Sequence, residues 1–437
     1  MDKSSSEATL GYIVPKLRDT LAFQRLRGIR QNGLTNFVFA GMEHSRFVHS
    51  FGVFDLARTM YDRIIRNSGR APDNMARSSV AVSGMLHDLG HGPFSHTLEE
   101  ALSDDSTETV FKHEQLTVRF LTEDSAITAI LKEVDDNFAN QILAYVDKSY
   151  RQEDDWTHRL ISSQLDADRL DYMLRDSYMS GIEGHGFDLS RLLEMLSTQD
   201  GLRITVNEGA IEGVEAYLLM NLHLYRIAYF HKVVRGSHGV LVSIIQRSFD
   251  LIREKDYRHL AQCPDLLKQA LLQLFEKGSM LDLDLYTRLV EHHFWVAFDA
   301  WRQADDKVLA DLAKRLASRQ PFRAQDIDFL NKAKEALRLM QDGPEEIATR
   351  LGFTADEVRK YYLKIDDPKR RTYNEFRWRP TETNTDEAIW IAFNNGGQEP
   401  VERLRKNKVL QAMLEEAHFN RILFPRGCED IVEKYYP

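Results

Sequence analysis

Apolar residues recur at spacings of three and four along most of the chain, the signature of amphipathic helices. Phe54–Ile65 and Leu266–Phe275 carry the pattern most clearly. Short runs that read as strands are few: Asn36–Phe39, Leu202–Val206 and Trp390–Phe393. The spacing predicts a mostly α fold, a helical core with small β elements. No run approaches the roughly 18 apolar residues that span a bilayer. Met1–Thr9 is polar and lacks the apolar stretch of a secretory signal. Repeats are absent, and Ser4–Ser6 is the one low-complexity tract. Three regions are expected. Residues 17–253 hold the histidine-rich unit and 254–353 a further helical region. Residues 354–437 form a mixed C-terminal region, with the charged run Asp366–Arg371 and a Gly396-Gly397 turn.

Composition narrows the class. The chain has 437 residues, 43% of them hydrophobic and 28% charged. That is enough for a large core, and it excludes a collagen-like or disordered chain. At about 100–200 residues per domain, two to four units are expected. Two cysteines, Cys263 and Cys428, exclude a disulfide framework and point to a reducing, cytoplasmic setting. A net charge of −10 argues against bulk attraction to nucleic acid or an anionic membrane. Pro344–Val358, with Gly352 at its centre, has the outline of a DNA-binding helix-turn-helix. Its acidic character favours an ordinary pair of helices instead.

The chemistry gathers elsewhere. Six of the fifteen histidines lie between residues 44 and 113. In Met85–His96, the His87-Asp88 pair is expected on a helix, projecting two ligands about 100° apart. Imidazole and carboxylate together suit a borderline divalent metal. His91 follows four residues after His87, and Gly92-Pro93 should turn the chain so that Ser95 and His96 swing back over the site. In Glu43–Val53, Arg46 and His49 share a helical face. His49 is a third candidate ligand, and Arg46 can meet an anionic oxygen. In Gln164–Asp176, Asp168, Tyr172 and Asp176 stack on one face with Arg169 beside them. Asp168 is the fourth candidate ligand, while Asp171 and Arg175 read as a plain ion pair. His113-Glu114 offers a proton donor with an orienting carboxylate. Two His and two Asp leave room on an ion for water or phosphate oxygens, as a catalytic site requires.

His49, then His87-Asp88, then Asp168 have the order and spacing of the HD metal-dependent phosphohydrolase superfamily. The flanking blocks Phe23–Arg27, His44–Ser50, His87–His96, Lys112–Glu114 and Asp166–Tyr172 resemble the deoxynucleoside triphosphate triphosphohydrolases. That group includes bacterial enzymes and the vertebrate enzyme with SAM and HD domains. The likeness is strong over roughly residues 17–250 and weaker beyond, where Ile422–Pro425 resembles a late motif.

The resemblance implies a mostly helical fold and hydrolysis of a dNTP to deoxynucleoside and inorganic triphosphate. It implies a divalent ion (Mn, Mg, Fe, Co, Ni or Zn) on His49, His87, Asp88 and Asp168. His91, His96 and His113 would sit at the phosphates, with His96 or His113 in proton transfer. Arg46 and Arg169 would grip phosphate oxygens. Tyr172 and Asp176 would face the sugar, with Gln31 at its edge and Tyr229 in the Tyr229-Phe-His231 block nearby. It also implies a homo-oligomer, dimer or tetramer, and an activating nucleotide near Asp19, Gln24 and Arg27. Three departures stand out. Asn221 occupies a position where relatives often carry Arg. The N-terminal strand segment of relatives, with its Pro-Val-His-Gly-like motif, has no counterpart. Without it the activator pocket lacks a wall. Two alternatives follow: an HD phosphohydrolase acting on a monophosphate, cyclic nucleotide or alarmone, or a nucleotide- or nucleic-acid-binding module with vestigial activity.

Overall fold

The computed structural model describes residues 5–102, 111–150, 155–182, 186–328, 331–367, 388–401, 404 and 420–437. Helices dominate, as the apolar spacing predicts. The elements that build the site are α1 (Arg46–Asn67), α2 (Asn74–Leu86), α3 (His96–Leu102), α4 (His113–Glu123), α5 (Ala167–Ser180), α6 (Ile211–Leu224) and α7 (Lys232–Arg253). The helix expected over Phe54–Ile65 is the body of α1, and Leu266–Phe275 lies within a helix over Asp265–Lys277.

Strands are short. β1 (Leu196–Ser197) and β2 (Thr205–Asn207) join β5 (Trp390–Ala392) and β6 (Gln398–Pro400) in one sheet, in the order β1-β2-β5-β6. β2 and β5 run parallel, so two of the three expected strand regions pair with each other across 185 positions of chain (390 less 205). β3 (Arg323–Asp326), β7 (Arg421–Phe424) and β4 (Lys364–Asp366) form a second sheet with β7 central. The Ile422–Pro425 motif therefore supplies a buried middle strand.

Two local expectations fail. Asn36–Phe39 is not a strand. Thr35–Phe37 is a 3₁₀ turn, closed by Phe37 N–H to Leu34 O at 3.0 Å and Val38 N–H to Thr35 O at 3.1 Å. The backbone satisfies itself locally, and three apolar residues without a partner strand cannot compete. Nor does the α2 helix extend through the His87-Asp88 pair to His91. It ends at Leu86, with His87 as its cap, and the following bonds are of the tighter turn type, Leu89 N–H to Leu86 O and His91 N–H to Asp88 O, both 3.1 Å.

The Pro344–Val358 segment is a helix over Ala333–Leu351, stopped at left-handed Gly352 (φ 76°), then one capped turn at Ala355–Glu357. The chain that follows buries Val358, Tyr361 and Tyr362. The second arm is thus packed inward and offers no exposed recognition helix.

Apolar side chains fall into two cores. One runs from Leu10 to Tyr436 and includes Leu86, Leu89 and Phe94 beneath the His87–His96 turn. The other includes Leu170, Met173 and Tyr217 around α5 and α6. Helix α1 contributes Phe47 to the first and Val53 to the second, so the polar site lies where the two cores meet.

Candidate active site

Ser45 starts α1, placing Arg46 and His49 in its first turn, and His49 is fully buried. His49 Nδ1 donates to Asp171 Oδ2 at 2.7 Å, and Asp171 is gripped in turn by Arg175 Nε and Nη2 at 2.9 and 2.7 Å. Gly52 makes this possible. A Cβ there would sit 1.7 Å from Asp171 Oδ1. At the end of α2, His87 Nδ1 donates to the Gly84 carbonyl at 2.9 Å. Both rings therefore turn Nε2 toward the same carboxylates. His49 Nε2 lies 3.0 Å from Asp168 Oδ1 and 3.6 Å from Asp88 Oδ2. His87 Nε2 lies 3.3 Å from Asp88 Oδ1 and 3.6 Å from Asp168 Oδ1.

With Nδ1 donating, a neutral imidazole has only a lone pair at Nε2. Lone pairs facing carboxylates need a positive charge between them. Among the described residues neither Nε2 has a hydrogen-bond partner, although both are buried. Burial opposes a charge on His49, yet the Asp168 and Asp171 carboxylates outweigh it and push His49 up to about 10. Ligand atoms of His49, His87 and Asp88 all lie within 4.8 Å of one another. The donor set is positioned for a divalent metal, and Asp171 and the Gly84 carbonyl fix the ring orientations as outer partners of metal-bound His do. Asp168, in the first turn of α5, is brought to the same point by its cap, Asp166, which accepts from Arg169 N–H at 2.8 Å.

The second histidine group lies beside it. His91 Nε2 is 3.3 Å from Asp88 Oδ1, and its ring stacks on His113 with centroids 3.6 Å apart. Burial, reinforced by Arg46 and His113, holds His91 well below its ordinary value, so it is neutral. One carboxylate, Glu99, binds His96 Nδ1 at 2.9 Å and His113 Nδ1 at 2.5 Å, and accepts from the His113 backbone N–H at 2.9 Å. Burial raises the Glu99 carboxyl, but His113 and His96 outweigh it and keep it ionised far below the usual carboxylate range. This corrects the expectation for Glu114. Its carboxylate is 3.4 Å from His113 Nδ1 and 65% exposed, so Glu99 is the principal orienting group.

The loop that delivers these rings is unusual. Phe94 and Ser95 both have positive φ, 60° and 52°, strain that the surroundings must hold. Gly90 allows α4 to touch the turn: a Cβ there would lie 2.1 Å from the His113 carbonyl. Arg25 binds the Leu89 and His91 carbonyls at 2.7 and 2.9 Å, and Tyr286 OH donates to the Gly90 carbonyl at 2.9 Å.

Both groups open on a cavity of about 570 Å³. Asp168, Tyr172 and Asp176 line it as the stacked face predicts, and Gln31, Glu114 and Tyr229 line it too. Asp176 is buried, accepts from Tyr229 OH at 2.5 Å and lies 2.8 Å from His44 Nε2. Arg46 lines the cavity but is already engaged. It pairs with Asp88 and donates to Ser95 Oγ at 2.9 Å. Arg169 departs from expectation. Its Nε donates to the Ser163 carbonyl at 2.9 Å, tying the start of α5 to the preceding loop rather than lining the cavity. Asn221 is buried on α6 and also outside the lining. Asp19, Gln24 and Arg27 cluster near the surface, away from the cavity. Arg18 pairs with Asp19, Gln24 donates to the Arg18 carbonyl at 2.8 Å, and Arg27 donates to Gln24 at 2.8 Å while stacking over Phe47.

Sequence reasoning missed Glu99, Asp171 and His44. Glu99 had a signal, its i+3 spacing from His96. Asp171 was hidden because its i+4 pairing with Arg175 accounts for it without reference to His49.

Comparison with known proteins agrees with this geometry. Residues 46–173 match the HD domain model. The uncharacterized protein YwfO of Bacillus subtilis is 32% identical over 378 residues, covering 86% of this chain and 80% of that one. A Dictyostelium discoideum protein named a deoxynucleoside triphosphate triphosphohydrolase SAMHD1 homolog is 27% identical over 315 residues, 68% of this chain and 60% of that one. Among solved structures, a phosphohydrolase from Bacteroides thetaiotaomicron superposes with a TM-score of 0.76 at 23% identity, covering 95% of this chain and 96% of that one, which shows a shared fold. Among the described residues, no helix is long and apolar enough to cross a membrane. A histidine and aspartate cluster built for a divalent ion, inside the matched segment, and a relative aligned along most of both chains give one conclusion: the chain belongs to the HD-domain family, whose fold and donor set are those of metal-dependent phosphohydrolases.

Proposed function

We propose that the protein hydrolyses deoxynucleoside triphosphates to deoxynucleoside and inorganic triphosphate. The observation that carries the proposal is one cavity lined both by His87, Asp88 and Asp168 with His91, His96 and His113, and by Tyr172, Asp176 and Tyr229. The first set suits phosphates and the second a sugar. The SAMHD1 homologs at 26–28% identity support the same substrate class.

In the reaction, water adds to the α-phosphorus, the bond to O5′ breaks, and O5′ leaves as a hydroxyl after gaining a proton. A divalent ion on His49, His87, Asp88 and Asp168 would supply charge neutralisation and lower the pKa of water within reach. The protein's own part is positioning and proton handling. Glu99 holds Nδ1 of both His96 and His113, so Nε2 is the atom at which each can exchange a proton. Asp176, steadied by Tyr229 and His44, is placed to accept from a sugar hydroxyl. The Tyr172 ring closes the sugar side by shape.

Product analysis tests the proposal. Incubation with each dNTP and Mn²⁺ should release triphosphate; orthophosphate or pyrophosphate would refute it. Repeating the panel with and without added GTP or dNTP tests the activator expectation at Asp19, Gln24 and Arg27.

A second reading has one observation in its favour. Among the described residues, the guanidinium groups lining the cavity are Arg46 and Arg235, and each is already paired, with Asp88 and Asp366 respectively. That favours a substrate with fewer phosphate charges. Turnover of monophosphates or cyclic nucleotides, with dNTPs poor, would select it.

A further inference from the structure

One wall of the cavity has no part in the scheme above. It consists of the Gln31–Gly33 turn and the first turns of α7, which bring Asn32, Arg235 and His238 to the lining. The two segments are in close contact: a Cβ on Gly33 would lie 3.6 Å from His238 Nε2 and 3.7 Å from Thr97 Oγ1. Asn32 Nδ2 and His238 Nε2 are both buried, and neither has a hydrogen-bond partner among the described residues. Buried polar atoms left unpaired cost about 1–3 kcal/mol each unless something meets them. Both residues line a space large enough for a nucleotide.

We infer that Asn32, His238 and Arg235 form the subsite that reads the nucleobase, and that it favours bases with an oxo group beside a ring N–H over bases with an exocyclic amine. This deepens the dNTP reading and rests on it.

The preference follows from the donors on the wall. Asn32 presents Nδ2–H, and Arg235 can only donate. Arg235 is held in place by Asp366 at 2.5 Å, with Glu100 at 3.8 Å. Burial and the neighbouring Arg235 push His238 down to about 3, so its ring is neutral and can accept at Nε2. A base edge with O=C–N–H is the complement: the carbonyl accepts from Asn32 and the ring N–H donates to His238. An edge with an exocyclic amine sets its hydrogens against the Asn32 amide hydrogens and the Arg235 cation.

Matched substrate pairs isolate this edge. dITP and dATP differ at the 6-position and at the N1 hydrogen; dUTP and dCTP differ in the corresponding way at the 4-position and N3. For the metal-loaded wild type, kcat/KM for dITP should exceed that for dATP by about tenfold, with the same direction for dUTP over dCTP, the scale of one good base contact. Asn32→Asp replaces the donor by an acceptor and should reverse the order within each pair. Asn32→Leu and His238→Phe should collapse both ratios toward one. Wild-type metal content and melting temperature identify folded variants, and calorimetric binding of the same nucleotides gives a readout independent of turnover. Equal kcat/KM within both pairs for the wild type, or ratios unchanged in folded Asn32 and His238 variants, overturns the inference while dNTP hydrolysis stands. Absence of both binding and turnover for every dNTP overturns the inference and the proposed function together.

Discussion

The two histidine groups share one cavity but are held in opposite ways. His49 and His87 each have Nδ1 tied to a different partner, Asp171 and the Gly84 carbonyl, and their Nε2 atoms converge on Asp88 and Asp168. His96 and His113 have Nδ1 tied to the same partner, Glu99. The first group concentrates electron pairs at one point and is incomplete without a cation. The second shares a single carboxylate between two rings. Equal residue types are thus arranged for the different ends proposed above, one group to grip an ion and the other to move protons.

The comparison can be broken by substitution. The largest effect belongs to the first group. His87→Ala or Asp168→Ala should abolish turnover and strip the ion while circular dichroism shows the helical fold intact; retained metal content and activity in both would remove the ligand assignment. Glu99→Gln strikes the second group. It should lower kcat by at least about 10²-fold, in the range of a lost acid–base catalyst, while metal content by atomic absorption stays at the wild-type level. Loss of the ion in this variant would mean that the two groups are one. Asp171→Asn should weaken metal affinity by about 10–100-fold, the usual cost of losing an outer partner of a liganding His, and excess metal should restore its activity. Smallest is the effect of chelation on the folded protein. An ion present at 100 times its Kd adds about 2.7 kcal/mol, so EDTA should lower the melting temperature by a few degrees in the wild type and by less in Asp168→Ala.

Much of this could be read along the chain. Asp168, Tyr172 and Asp176 needed only helical periodicity to fall on one face, and His87-Asp88 announced itself by its apolar approach and glycine-rich exit. What could not be read depends on contacts between distant segments. Arg169 looks like a phosphate grip beside Asp168, but its Nε binds the loop carbonyl of Ser163 and the residue is not among those lining the cavity. Asp171 has a local partner that masks its role toward His49, 122 positions away. The candidate strand at Asn36–Phe39 failed because a strand needs a neighbour, which a linear pattern does not reveal. β2 and β5 had one, and their pairing likewise lies outside any local window.

The brace on the His87–His96 turn has a consequence for how the molecule can be divided. Tyr286 reaches the Gly90 carbonyl across 196 positions and supports the Arg25 guanidinium, 4.6 Å from its ring, that binds the carbonyls on either side. A fragment cut after Arg253 would keep every proposed ligand yet lose this prop, leaving the Gly90 oxygen bare and the strained Phe94–Ser95 bend without its backing. The shortest stretch that matches the family's motifs is therefore shorter than the shortest stretch able to hold them in working shape.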